Sequence, residues 1–384
     1  MNWKKWLVKT MSYILVAALA SAATLFAWTA RQGSDKLTQL QQLIDYYFVG
    51  EADMEKIQDA AAAGMIYGLD DPWSYYIPAS ELGAHQEFKD NSTVAIGVNI
   101  ALREDNTGID ILGVSLGGAA EAAGILPGDV LVKVDGKSIA GMDLDQVTTL
   151  VKGKEGTELT VAVLRNGTEK SFTLKRQKIK VAAGKMLEGN IGLVRINNFN
   201  TDCAKQTLTA IEQLQKQGVT KLIFDVRNNP GGYVSEMIDV LDYLLPEGVL
   251  FRQEDHLGNK SEEKSDEECL KMPMAVLVNS DSYSAAEFFA AALQEYEWAT
   301  VLGEKTSGKG YYQMTMPLSD GSAVNLSCGK YFTPKGVNLT EKGGLSPDRI
   351  VPVDENTAEK IAVSGILPQN DPQIQAAVAV LLGK

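Results

Sequence analysis

Histidine is almost missing from this chain of 384 residues: there are two, His85 and His256. Any mechanism built on several imidazoles is excluded. Cysteine is scarce too. Cys203, Cys269 and Cys328 are odd in number and far apart, so they make neither a CxxC metal pair nor a disulfide framework. No ligand cluster stands at metal spacing, and neither a metal nor a cofactor is expected. Positive charge is short as well: 36 Lys and Arg against 49 Asp and Glu give −13. With no basic stripe and no zinc knuckle, a nucleic-acid partner is excluded. Internal repeats and low-complexity linkers are absent. What is present is a chain 45% hydrophobic and 22% charged, which can bury a sizeable core and is long enough for two or three domains.

One long uncharged run does exist, between Lys9 and Arg31. At about 1.5 Å per residue it is long enough for a hydrocarbon core of about 30 Å. Lys4, Lys5 and Lys9 precede it, which predicts a cytoplasmic N-terminus and an exported body. Trp6 and Trp28 stand near its ends, where interfacial indoles are favoured. The alternative is a cleaved signal peptide, with Ala18-Leu19-Ala20 or Ala20-Ser21-Ala22 as the small-residue site. Apolar sequence continues past both, which favours a retained single-pass anchor in the cell membrane. Either way the body lies outside the cytoplasm.

The rest divides by texture. Residues 1–31 are the cytoplasmic tip and anchor, and 32–92 a helical region with Leu37, Leu40, Leu43 and Ile44 at helical spacing, ended by Asp71-Pro72. Residues 93–178 turn to short β runs, with Asp135-Gly136 and Asn166-Gly167 as turn signals. Residues 179–355 alternate strand and helix, which predicts an α/β core, and 356–384 read as a C-terminal helical region.

Residues 93–178 resemble a bacterial PDZ domain through Ala95-Ile96-Gly97-Val98, Ala119 to Ile125 with Pro127-Gly128-Asp129, and the helix from Leu144 to Val151. Such a module adds an extended peptide to a sheet edge and captures its terminal carboxylate on loop amides. Ile96 and Gly97 belong to that loop. Val98, Ile100, Val147 and Leu150 are expected to line an apolar pocket, or else to be plain core.

A second constellation is a serine without a histidine. Asp225-Val-Arg-Asn-Asn-Pro-Gly231-Gly232 closes an apolar strand, and its glycines leave backbone N–H groups free to face an anionic atom. Met274–Val278 runs out into Asn279-Ser-Asp-Ser-Tyr-Ser284, where a helix begins. Ser282 is a candidate helix cap and Ser284 a candidate nucleophile, helped by the helix N-terminus. Lys309 lies in Gly308-Lys309-Gly310-Tyr-Tyr-Gln313. On one extended segment residues 309, 311 and 313 share a face, so Gln313 is expected to hold the Lys309 head. A lysine is a base only when neutral, which requires burial to lower its pKa from about 10.4.

Taken together these pieces resemble the carboxyl-terminal processing peptidases, or tail-specific proteases, over nearly everything after the anchor. Asp71-Pro72-Trp73, Tyr331-Phe-Thr-Pro-Lys-Gly336, Gly344-Leu-Ser-Pro-Asp-Arg-Ile350 and Asp371-Pro372-Gln373 fit as well. The resemblance implies an α/β fold: a PDZ-like β-rich domain embedded before a crotonase/ClpP-like protease core, behind an N-terminal transmembrane helix. It implies Ser284 as nucleophile, Lys309 as general base and then acid, and Gln313 as its orienter. Backbone amides of Ala285 and of Gly231 or Gly232 would form the oxyanion hole. Substrates would be proteins or peptides with free apolar C-termini; a homo-oligomer is left open. The chain fits the family's Ser-x-Ser-Ala-x-Glu motif but departs at Tyr283 and Ala286 from the Ser-Ala-Ser-Ala-Ser-Glu that many members carry. These departures admit a rival, a catalytically silent, membrane-tethered PDZ adaptor that only binds protein tails. An acyl-CoA enzyme of crotonase type would need neither an export segment nor a PDZ domain.

Overall fold

The computed structural model describes residue 21 and residues 35–363 and 368–384. The expected anchor lies outside the described residues, among which no helix is long and apolar enough to cross a membrane. The chain divides at Pro78 into two units. In the first, the expected helical region is broken into α1 (Lys36–Tyr47) and α2 (Met54–Tyr67), followed by β1 (Tyr75–Ile77). Asp53 interrupts the run by capping α2, accepting the Lys56 N–H at 3.1 Å.

The second unit opens with α3 (Ala79–Lys89), so part of the region read as N-terminal belongs here. Then β2 (Val94–Ala95) leads to an antiparallel sheet: β3 (Val98–Leu102), β4 (Ile109–Val114), α4 (Ala119–Ala123), β5 (Val130–Val134), β6 (Lys137–Ser138), α5 (Leu144–Val151), β7 (Glu158–Arg165) and β8 (Thr168–Lys175). The sheet order is β3-β4-β5-β7-β8, with β6 on β5, which leaves β3 at an edge. A capping box of Asp143 and Gln146 starts α5. Strand β9 (Gln177–Lys178) returns antiparallel to β2, with Val94 opposite Lys178, so the module begins and ends at one place.

The core follows as β10 (Ala182–Leu187), β11 (Ile191–Ile196), α6 (Cys203–Lys216), β12 (Lys221–Asp225), α7 (Val234–Leu244), β13 (Gly248–Asp255), β14 (Lys260–Ser265), β15 (Met274–Val278) and α8 (Ala285–Glu295). It ends with β16 (Ala299–Gly303), β17 (Tyr311–Pro317), β18 (Ala323–Phe332), α9 (Leu339–Lys342), β19 (Arg349–Ile350), α10 (Glu355–Ala362) and α11 (Pro372–Leu381). A central sheet of order β10-β11-β12-β15-β16-β19 is parallel except for β10. Its side chains alternate between two cores, as strand geometry requires. Leu222, Phe224, Val276 and Val278 pack with Ile211, Met237 and Phe289 of α6 to α8. Ile223, Ala275 and Leu277 pack with Ile374 and Ala377 of α11. The C-terminal helix is therefore a layer of the core, not an appendage. Strands β17-β18-β13-β14 form a second, antiparallel sheet.

Candidate active site

The Arg-Asn-Asn and Ser-Tyr-Ser turns leave neighbouring parallel strands, β12 and β15, at their C-terminal ends, where open α/β sheets form their crevices. Hydrogen bonds join the two turns. The Asn228 N–H donates to Asn279 Oδ1 at 2.9 Å, and Asn279 Nδ2 donates to Asn228 Oδ1 at 3.0 Å. Ser282 Oγ donates to the Val226 carbonyl at 2.7 Å, and the Tyr283 N–H to the Asn229 carbonyl at 3.1 Å. Ser282 is thus spent on joining turns rather than capping a helix. The N-cap position belongs to Ser284.

Ser284 is 8% exposed, with φ 58° and ψ −129°. That backbone is unusual for a side chain with a Cβ and stores on the order of 1–3 kcal/mol. A strained strand-to-helix turn is what lifts the serine of a nucleophile elbow out of its sheet. Ala285 follows as the first residue of α8, where an N–H has no intrahelical acceptor. Among the described residues neither the Ala285 nor the Gly232 N–H donates to an acceptor. The Gly231 N–H differs, donating to Asn229 Oδ1 at 2.8 Å. Of the two glycines, then, only Gly232 offers an uncommitted amide. Neither tolerates a side chain. At Gly231 (φ 83°) a Cβ would stand 2.8 Å from Ser284 Cβ, and at Gly232 (φ 152°) 2.2 Å from the Phe199 carbonyl carbon.

Glu287 is fully buried and links the serine to the lysine loop. Its Oε2 accepts the N–H of Ser284 at 2.9 Å and of Lys309 at 2.8 Å. Its Oε1 accepts the Gly308 N–H at 2.7 Å and the Thr306 hydroxyl. Burial pushes its carboxyl above the ordinary value of 4.5, and these donors pull it back only in part. The sequence reading assigned Glu287 no role. The readable signal was its place three residues after a serine N-cap, from which a carboxylate reaches back to the cap N–H.

Lys309 lies between β16 and β17 in a loop that α9 and its cap hold. The Gly310 N–H donates to Thr340 Oγ1 at 2.7 Å, the Thr340 hydroxyl to the Gly308 carbonyl at 2.8 Å, and Asn338 Nδ2 to the Gly310 carbonyl at 3.2 Å. The expected shared face of residues 309, 311 and 313 does not form. Strand β17 starts at Tyr311, and its pairing with β18 slips between Tyr312 and Gln313, as a bulge does. Gln313 Nε2 donates to Ser327 Oγ and to the Tyr311 carbonyl, each at 3.0 Å. The partly buried Lys309 places Nζ 5.6 Å from the centroid of the Tyr283 ring. His85 sits on α3, and His256 is exposed at the β13–β14 turn.

Beneath the turns, Arg227 is 1% exposed and donates to both oxygens of Asp225, both of Asp371, and Gln373 Oε1. Burial alone would raise the Asp225 carboxyl, but the guanidiniums of Arg227 and then Arg195 outweigh it and hold it below its ordinary value. Asp371 caps α11, so this ion cluster ties the site's floor to the helix on the far face of the sheet.

In the β-rich module, Gly97 has φ 78°, and its carbonyl accepts the Ser115 N–H at 2.9 Å. Val98, Ile100 and Leu150 are partly buried between the β3 edge and α5. Ile96 and Val147, at 1% and 0% exposure, belong to the core of this module.

The pattern of peptidase family S41 matches residues 190–351, and that of a PDZ domain residues 111–165. A probable CtpA-like serine protease from Staphylococcus saprophyticus is 32% identical over 356 residues, which cover 89% of this chain and 72% of the relative. Its counterpart in Staphylococcus aureus strain N315 is 34% identical over 325 residues, or 83% of this chain. Against that relative the chain spans 65% of the length. A putative S41 protease from Bacteroides fragilis is similar in fold, with a TM-score of 0.56 at 17% identity, covering 88% of this chain and 92% of that one.

Proposed function

Since the chain belongs to peptidase family S41, we propose that it is a serine endopeptidase that processes or degrades proteins from their C-terminal tails with a Ser284/Lys309 dyad. One observation carries this reading: Ser284 stands in a strained turn, beside two uncommitted amides, with its backbone tied through Glu287 to the lysine loop. Neutral Lys309 takes the Ser284 hydroxyl proton while Oγ bonds to the substrate carbonyl carbon. The carbonyl oxygen becomes an oxyanion that accepts the N–H groups of Ala285 and Gly232; losing one such donor typically costs about 3 kcal/mol. Lys309 then returns the proton to the leaving amine, and water hydrolyses the acyl-enzyme. Gln313 supports the lysine from the adjoining strand.

The substrate tail adds to the free edge of β3, its terminal carboxylate facing the loop at Gly97 and its last apolar side chain facing Val98, Ile100 and Leu150. The body works outside the cytoplasm behind an uncleaved N-terminal anchor. The test is a comparison of protein C-termini in cells carrying wild type or Ser284→Ala. We expect shortened or missing tails to be restored in the variant, and purified Ser284→Ala and Lys309→Ala to be inactive while folded. C-termini that do not change, together with a purified wild type unable to cleave peptides, would leave a tail-binding adaptor. Protease added to wall-stripped cells should digest the body, and its full protection would refute the orientation. Amidating a good peptide's C-terminus should raise KM, and unchanged kinetics would remove the PDZ-like module from substrate selection.

A further inference from the structure

We infer that the Tyr283 ring is the seat that positions the Lys309 amine, which makes Tyr283 a positioning residue whose quadrupole shifts the acid limb of the enzyme's pH profile. The inference rests on the Ser/Lys reading above and adds a residue to it. At 5.6 Å from the ring centroid, the lysine head lies within the reach of a cation–π contact. The Tyr283 backbone is fixed independently of the lysine: its N–H donates to the Asn229 carbonyl at 3.1 Å, Ser282 before it donates to the Val226 carbonyl, and the Ser284 N–H after it donates to Glu287. Burial and then Asp281 push the Tyr283 hydroxyl above its ordinary value, so the ring stays neutral at working pH.

Lys309 is therefore held at both ends by one segment. Its N–H goes to Glu287, and its head lies over Tyr283. Tyr283 and Glu287 flank Ser284 in sequence, so the base is registered to the nucleophile's own turn.

An aromatic face favours the ammonium over the neutral amine. Tyr283 therefore raises the pKa of Lys309 relative to the same site without a ring, opposing whatever burial does. The titratable and charged groups on the elements packed around the lysine loop are Glu287 on α8, Asp281 before the nucleophile, Glu304 and Lys305 in the loop itself, Tyr311 and Tyr312 on β17, and Glu341 and Lys342 on α9. All of them are unchanged in the comparisons below, so differences report the ring.

The experiment is the pH profile of kcat/KM on a peptide substrate for wild type, Tyr283→Phe and Tyr283→Leu. The acid limb of Tyr283→Phe should coincide with wild type. That of Tyr283→Leu should move to lower pH by about half a unit, the size expected for an exposed-to-half-buried cation–π contact. Should the leucine variant not fold, fluorinated phenylalanines placed at 283 weaken the ring quadrupole without changing its shape, and the limb should fall stepwise with each fluorine. A limb that stays fixed through these changes, or that moves equally in Tyr283→Phe, overturns the inference. Failure of the dyad itself is seen separately, as a Lys309→Ala protein that keeps its turnover whatever Tyr283 does.

Discussion

A single carboxylate, that of Glu287, receives four donors from two segments of chain, the nucleophile turn and the lysine loop. Glu287→Gln keeps the shape but turns an NH2 toward N–H groups that need an acceptor. Each donor left unmatched in the interior costs about 1–3 kcal/mol. The lysine loop loses its registration with Ser284, and misplacement by an ångström is worth about 100-fold in rate. We expect kcat/KM to drop by at least about that factor while KM changes little, measured on a peptide substrate. The pH dependence of folding carries a sign. Because the folded pKa lies above 4.5, the group's contribution to stability is present below 4.5 and is lost as pH rises through the folded value. Chemical denaturation of wild type against Glu287→Gln should show the stability difference shrinking over that window. Ser284, the two glycines and Lys309 could be picked out from their neighbours in sequence. Glu287's partners Gly308 and Lys309 could not, because backbone donors some twenty residues away leave no mark on local composition.

Turns were the most legible elements. Asp135-Gly136 and Asn166-Gly167 both take positive φ at each residue and join β5 to β6 and β7 to β8 in two-residue hairpins, as that chemistry demands. The start of β17 was not legible, because the flanking glycines and tyrosines read as extended chain whether or not they pair. Nor was the cluster around Arg227, whose partner Asp371 is distant in sequence and arrives on α11. Cutting a buried ion pair leaves an uncompensated charge and costs about 3–5 kcal/mol. Arg227→Met should therefore destabilise by that order and loosen α11, detectable as faster hydrogen exchange in residues 372–381. For Asp225 the folded pKa is depressed, so its contribution is present above the unfolded value and disappears as pH falls through the folded one. Wild type should hold its stability down to about pH 4, and the variant should show no such acid-side loss from this pair.

At the scale of the molecule, composition and texture pointed to an α/β core preceded by a β-rich module, and the strands at Val94 and Lys178 close that module on itself. The role of α11 as one wall of the central sheet was hidden, since an apolar helix near a C-terminus reads the same whether it caps a core or packs elsewhere. The contact between the module and the core includes the half-exposed pair Glu121–Lys185 at 3.3 Å, and such pairs are worth at most about 1 kcal/mol. The antiparallel pairing of β2 and β9 makes the module a cassette. Two strand ends that lie about 5 Å apart can be joined by an Asn-Gly turn. Replacing residues 96–176 with that dipeptide should leave a soluble core that melts cooperatively and still reacts with a fluorophosphonate at Ser284. The same splice would accept any other small domain whose termini lie side by side, so that the recognition proposed for this module could be exchanged for a different address without redesigning the chemistry.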